Sequence, residues 1–227
     1  MLERFSDAAL QVCELAYEEA ERLRHDYVGP EHVLVGLSYA SDAGVGQFLR
    51  ARGLGPDELR AGLGRLVAEG ELPGPWRNQA DLLSGLGIDI GAVRQAVERS
   101  FDPEVVCAAL RRARRRSRLR ELPFLSGGPP SPLGGKAMVA KRALWLAEQE
   151  AAGLGQAEPA PAHLLLGVLR DAEDPAGTGL SRRARRGRAY LGLACDGPAP
   201  VRRLVERAGA SLADLRADVL ASLRVTT

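Results

Sequence analysis

Aromatic side chains are scarce in this sequence: four Phe, four Tyr and two Trp make up 4% of its 227 residues. A core with so few rings has to be filled by Leu, Val and Ala, which suit closely packed helices. Cysteine is scarcer. Cys13, Cys107 and Cys195 are odd in number, far apart and without a CxxC pair, so buried reduced thiols are expected rather than a disulfide framework. Histidine is limited to His25, His32 and His163, too few and too dispersed to assemble a ligand set, so no metal and no cofactor are expected. No apolar run approaches the ~20 residues needed to span a bilayer. The opening Met-Leu-Glu-Arg-Phe lacks the basic-then-apolar order of a secretory signal, so the expectation is a cytoplasmic protein with no membrane partner.

Catalytic motifs are missing as well. The nearest approach to a phosphate-binding loop is Gly134-Gly135-Lys136-Ala137. Such a loop needs a glycine five residues before Gly135 and a hydroxyl residue after the lysine, where this chain has Pro130 and Ala137. No Ser/His/Asp or Cys/His constellation can be assembled, and an enzyme is not expected.

Acidic charge is absent from two stretches. Arg111 to Arg120 holds seven arginines and Arg182 to Arg188 holds five, with no Asp or Glu in either. The net charge of +2 depends on them. Setting those 12 aside leaves 19 basic residues against 29 acidic ones, so the rest of the chain is acidic. Such runs are solvated connectors or contacts for phosphate and acidic partners. No aromatic residues interleave the first run, and nucleic acid is not the expected partner, although a basic nucleic-acid-associated protein stays as an alternative.

What is present is helix punctuation, twice over. Ser6 is placed to cap a first helix, with Asp7 in its first turn and Phe5 and Leu10 at the staple positions. Apolar residues recur at Leu10, Cys13, Ala16, Tyr17 and Ala20, the spacing of one helical face. Pro30 opens a second helix with Val33, Leu34 and Leu37 inward. A third helix is expected over about 45–52, stopped by Gly53, and a fourth over about 56–68. The pattern returns. Glu18-Glu19-Ala20 and His32 to Leu37 align with Gln149-Glu150-Ala151 and His163 to Val168 at an offset of 131. Phe48 to Gly53 and Leu59-Arg60 align with Leu204 to Gly209 and Leu215-Arg216 at 156. The difference is a 25-residue insertion in the second copy. The chain therefore reads as all-α: two pseudo-symmetric four-helix repeats joined by a helical connector and a flexible linker. The expected boundaries are repeat one over 1–70, the connector and its Arg/Gly/Pro-rich linker over 71–135, and repeat two over 136–227 with the basic insertion over 171–196.

Glu3-Arg4-Phe5-Ser6, Gln11-Val12, Glu18-Glu19-Ala20 and Val28-Gly29-Pro30-Glu31-His32 followed by Val33 to Leu37 resemble the Clp repeat. That repeat builds the N-terminal domain of ClpC- and ClpA-type unfoldase subunits. Pro30 stands where the family motif has Thr, and Leu86-Gly87-Ile88-Asp89 resembles the connector of actinobacterial stand-alone Clp N-domain proteins. The resemblance implies a non-catalytic module of the Clp protease system that recognises substrates or ligands, acting as adaptor, decoy or regulator. Its implied partners are Clp unfoldase or protease components or their substrates, among them proteins bearing phosphoarginine, with cyclic-peptide antibiotics and a sequestering role as the alternative.

The resemblance also implies a site. In the family a Thr at the start of the first helix helps hold a phosphate, and the Glu of the second-helix motif holds a guanidinium. Ser6 and Glu31 match those positions, while the same alignment puts Ala137 and Ala162 there in the second repeat. Phe5, Asp7, Leu2 and Lys141 complete the expected ligand surface, Leu2 standing where the family has Phe and Lys141 matching a family lysine. Ser6 is equally a good cap, and Glu31 equally a dipole-favoured first-turn acid, with no ligand present. His32 and His163 are expected to cap or pack rather than to bind.

Overall fold

The computed structural model describes residues 4–25, 27–40, 44–74, 137–174 and 199–225, with Asp89, Ala92, Arg185, Arg188 and Leu193 as isolated positions. Leu2, Cys107, Cys195, the first arginine run and the rest of the connector and linker expected over 71–135, apart from 71–74, Asp89 and Ala92, lie outside the described residues. By backbone proximity Met1–Pro75 and Lys136–Thr227 form one unit and Trp76–Gly135 another. In the second unit the Ala92 N–H donates to Asp89 Oδ1 at 3.1 Å, the bond of a helix-capping aspartate.

The first unit is helical. The first four helices are α1 (Asp7–Arg22), α2 (Pro30–Tyr39), α3 (Val45–Arg50) and α4 (Pro56–Ala68). Their counterparts are α5 (Lys141–Gly153), α6 (Pro161–Glu173), α7 (Pro200–Arg207) and α8 (Leu212–Val225). Two short strands, β1 (Tyr27–Val28) and β2 (Ala137–Met138), pair in parallel. The fold class is all-α, with two copies of a four-helix unit.

Local chemistry explains the boundaries. Ser6 Oγ accepts the Ala9 N–H at 3.3 Å and starts α1. Proline opens α2, α4, α6 and α7, where its missing N–H leaves nothing unsatisfied. Gly53 and Gly209 follow α3 and α7 with positive φ, which a residue carrying Cβ adopts only under strain. The buried face of α1 is centred on Ala9, Val12, Cys13, Ala16 and Ala20. Leu10 and Tyr17, expected at its centre, lie half-buried at its edge. Small residues sit at the centre because α2 comes very close: a Cβ at Gly36 would lie 2.6 Å from the Val12 carbonyl oxygen. Gly167 in α6 meets the Ala143 carbonyl in the same way. Cys13 is buried in this contact, and burial pushes its thiol pKa up to about 11.

Each first helix packs along the second helix of its own copy, and the two copies meet at the starts of the first helices. The Ser6 N–H, at the start of α1, donates to the Pro159 carbonyl just before α6 at 3.2 Å. The Val139 and Ala140 N–H groups, at the start of α5, donate to the Val28 carbonyl just before α2 at 2.9 and 3.0 Å. Each first helix therefore starts against the second helix of the other copy. A common core follows, in which α6 packs on α2 and α7 on α4. At its rim Arg52 pairs with Asp218 at 2.6 Å, Arg203 with Glu71 at 2.6 Å, and Arg207 with Glu69.

Candidate functional site

Glu31 is the second residue of α2, and its carboxylate folds back over Gly29. A side chain at residue 29 would occupy the place of that carboxylate, which is why glycine precedes Pro30. Glu31 is only 2% exposed, and its Oε1 accepts no hydrogen bond. Burial pushes its pKa above the ordinary 4.5, opposed by its own backbone N–H, the Tyr27 hydroxyl, His25 and Arg188. The Tyr27 hydroxyl is itself buried beside the carboxylate, but makes no hydrogen bond of proper geometry.

Beneath Glu31 lies a ring cluster. His32 Nδ1 accepts the Gly29 N–H at 2.9 Å, and its Nε2 meets His25 Nδ1 at 2.9 Å. The first bond requires a lone pair on Nδ1, so a neutral His32 carries its proton on Nε2 and donates it to His25. The 3.5 Å approach of Glu31 Oε1 to the same Nδ1 is then two acceptors facing each other, not an ion pair. Tyr27 stacks on His25 with centroids 5.3 Å apart. In the second repeat His163 makes the same cap, accepting the Ala160 N–H at 3.0 Å, but its Nε2 has no partner. Gln156 and Glu158 stand at the places of His25 and Tyr27 there, so the cluster is lost. Both histidines cap helices, as their place before an aliphatic run implied.

Glu31 opens on a small cavity. Its walls are Pro30 beside it, Val139 before α5, Asp171 in α6, Arg188 and Leu193 in the insertion, and Val201 in α7. Asp171 is buried, with its pKa raised by burial and by Glu31, and lowered by Arg142 and Arg188. The Arg142 guanidinium approaches Asp171 Oδ1 to 3.3 Å, although that oxygen has no hydrogen bond. Arg188 Nε is also buried without a partner. The cavity thus gathers two acids, one from each repeat, and a guanidinium.

Ser6 does not line this cavity. Its backbone contact with the other copy puts it beside Pro159, at the start of α6, where Ala162 has no carboxylate. Asp7 beside it is exposed, while Phe5 is buried in the core. The structure therefore does not bring Ser6 and Glu31 together in one pocket. Glu31 faces instead the start of α5, where Ala140 supplies no side-chain cap and Lys141 is the exposed first residue. Counting by 131 puts Ala137 opposite Ser6, yet Ala137 lies in β2 and α5 begins a turn later. Either alanine lacks the hydroxyl. One turn beyond Lys141, Trp145 is 49% exposed.

Sequence reasoning missed Asp171, Arg188 and Tyr27. Tyr27 and Asp171 carried no local signal. Arg188 did: it ends the second arginine run, whose charge had no evident partner.

Residues 4–71 match the family described as "Clp repeat (R) N-terminal domain". A probable ATP-dependent Clp protease ATP-binding subunit of Chlamydia pneumoniae is 40% identical over 70 residues, 31% of this chain and 8% of that protein. The chloroplastic chaperone protein ClpC of Pisum sativum is 28% identical over 173 residues, 76% of this chain and 13% of that protein. The crystal structure of the N-terminal domain of ClpD from Arabidopsis thaliana superposes with a TM-score of 0.49 at 17% identity, covering 98% of this chain and 99% of that one. The matched regions are thus small fractions of the curated relatives' own length.

Proposed function

The chain carries a Clp repeat N-terminal domain over residues 4–71, and from that premise we propose that it is a non-catalytic recognition module of the Clp protease system. In this reading it serves as adaptor, decoy or regulator, and its ligand is a protein bearing phosphoarginine. The observation that supports it most is Glu31: a buried carboxylate with an unpartnered oxygen, facing a helix start without a side-chain cap. A carboxylate takes a guanidinium through two parallel hydrogen bonds. The first N–H groups of α5 and the Lys141 ammonium suit the attached phosphate. The site is composite, with its two halves supplied by different repeats. Ser6, Asp7 and Phe5 belong to the second corner, which keeps the hydroxyl and lacks the acid. Leu2 stays a proposed member of the ligand surface on family grounds alone.

Calorimetric titration of the full chain with a phosphoarginine peptide tests this. Glu31→Gln is expected to weaken binding by about tenfold or more, and Lys141→Ala by less, since a charged pair contributes about 1.5–3 kcal/mol. Equal affinity of wild type and Glu31→Gln overturns the assignment.

A second reading, sequestration of cyclic-peptide antibiotics, is favoured by one feature. Trp145 presents an exposed indole one turn from Lys141, an apolar platform beside a cation. A thermal shift with such a peptide that disappears in Trp145→Ala supports it, and no shift in either protein removes it.

A further inference from the structure

His25 and His32 form a buried pair, joined by the 2.9 Å bond between His25 Nδ1 and His32 Nε2. His32 Nδ1 accepts the Gly29 N–H at 2.9 Å and faces Glu31 Oε1 at 3.5 Å. The helix cap does not need a second ring. His163 makes the same cap in the second repeat, where Gln156 and Ala162 stand at the places of His25 and Glu31. The histidine pair and the acid therefore occur together, at the corner that keeps a carboxylate.

An added proton has one place to go. The neutral pair holds two protons on four ring nitrogens: His32 Nε2–H donates to His25 Nδ1, His25 Nε2 carries the other, and His32 Nδ1 is bare. With a third proton only one nitrogen stays bare. The bond between the rings needs that nitrogen as its acceptor, at His25 Nδ1 or at His32 Nε2. His32 Nδ1 is therefore protonated whichever ring carries the charge. It then cannot accept the Gly29 N–H, and its own N–H meets Glu31 Oε1, the oxygen without a hydrogen bond. A proton held by Glu31 itself lies in the same contact.

We infer that the His25–His32 pair is a proton switch on the Glu31 corner: a proton taken up by the pair arrives at His32 Nδ1, claims Glu31 Oε1 and closes the corner to guanidinium ligands. The inference rests on the reading of Glu31 as a guanidinium holder, and adds its regulation. Imidazole takes up its proton between about pH 5 and 8. Burial of the rings opposes added charge, and the carboxylate at 3.5 Å favours it. Across the cavity stand a second acid, Asp171 in α6 with Arg142 beside it, and one cation, Arg188 in the insertion. Tyr27 in β1 brings a buried, neutral hydroxyl. Lys141 at the start of α5 is exposed to water, and the wall residues Val139 and Val201 are apolar.

Nitrogen-15 NMR of the full chain follows the proton. Between about pH 8 and pH 5 the His32 Nδ1 resonance is expected to change from bare to protonated, and the Gly29 amide to lose its hydrogen bond with the same midpoint. A phosphoarginine peptide is titrated calorimetrically over the same range, with its acid-labile P–N bond checked after each run. Wild type is expected to lose about tenfold in affinity from one pH unit above that midpoint to one below, as for a proton that excludes the ligand. His32→Gln offers an amide that reaches the Gly29 N–H, as in a capping box, and takes up no proton. The tenfold loss is expected to vanish in that variant.

A protonated His25 with His32 Nδ1 still bare overturns the inference, as does a pair that stays neutral throughout. So does peptide affinity that ignores the midpoint, or that falls equally in wild type and His32→Gln; if Glu31→Gln then loses the peptide, recognition stands without the switch. If the proton reaches His32 Nδ1 while no peptide binds at any pH, the proton switch stands and the phosphoarginine reading falls. Should His32→Gln not fold, coincident NMR and binding midpoints in wild type support the inference, and divergent ones overturn it.

Discussion

Arg60 in α4 holds Glu19 in α1 through two bonds, Nε to Oε1 at 2.8 Å and Nη2 to Oε2 at 2.7 Å. The second repeat reproduces the pair as Arg216 and Glu150, at 2.9 and 3.0 Å. There Arg170 adds a third contact to Glu150 at 3.1 Å. The spacing of 41 residues in the first pair and 66 in the second differs by the length of the insertion.

The asymmetry sets an order of stabilities. Glu19 is nearly fully buried and Arg60 is partly exposed. Removing the arginine leaves a buried carboxylate with only Arg22 Nε near it, at 4.0 Å, whereas removing the acid frees a cation that reaches water. Arg60→Met is expected to destabilise by about 3 kcal/mol. Glu19→Gln is expected to cost about 1–2 kcal/mol, the size of an imperfectly replaced bond. Arg216→Met costs less than Arg60→Met, because Arg170 remains on Glu150. Urea denaturation at neutral pH gives the three values, and equal losses for Arg60→Met and Arg216→Met contradict the account.

Glycine substitutions divide by environment. Gly36→Ala and Gly167→Ala each drive a methyl into the backbone of the facing helix, and about 1–3 kcal/mol is expected to be lost at each. Gly64 in α4 has nothing near its missing Cβ and an ordinary helical φ. Gly64→Ala is expected to stabilise by about 0.5–1 kcal/mol through the unfolded chain. Thermal unfolding of the three variants checks the change of sign.

His163 links stability to pH. It is fully buried, and burial lowers its pKa from the ordinary 6.5. The unfolded chain takes up the proton near 6.5, while the folded protein resists it until the pH falls to the lowered value. Stability from the neutral ring is therefore complete above 6.5 and is lost as the pH drops through that window. His163→Asn keeps an acceptor for the Ala160 N–H and removes the titration. Its urea midpoint is expected to fall less than that of wild type between about pH 7.5 and pH 5. Parallel curves for the two proteins count against this role.

Much of the scaffold was legible in the sequence. Ser6, Pro30 and Gly53 marked helix boundaries because caps, prolines and positive-φ glycines act on the few residues beside them. The repeat was visible at offsets of 131 and 156, since both copies fill the same kind of core. Even the 25-residue insertion followed from arithmetic.

The candidate site was legible only in part, for a physical reason. Sequence patterns with the period of a helix report which face of an element is buried, and say nothing about which distant element buries it. Ser6 and Glu31 lie in one repeat, and reading them as one site follows from that closeness. The hydrogen bonds from Ser6 to Pro159, and from Val139 and Ala140 to Val28, join residues more than a hundred positions apart. Those bonds send Ser6 to one corner and Glu31 to another. Tertiary packing likewise places Asp171 and Arg188 in the walls of the cavity beside Glu31, residues that no local pattern connects. The sequence by itself determined the helices, their caps and their duplication, because those depend on near neighbours. The contacts between the copies, and with them what faces Glu31, were decided by tertiary packing alone.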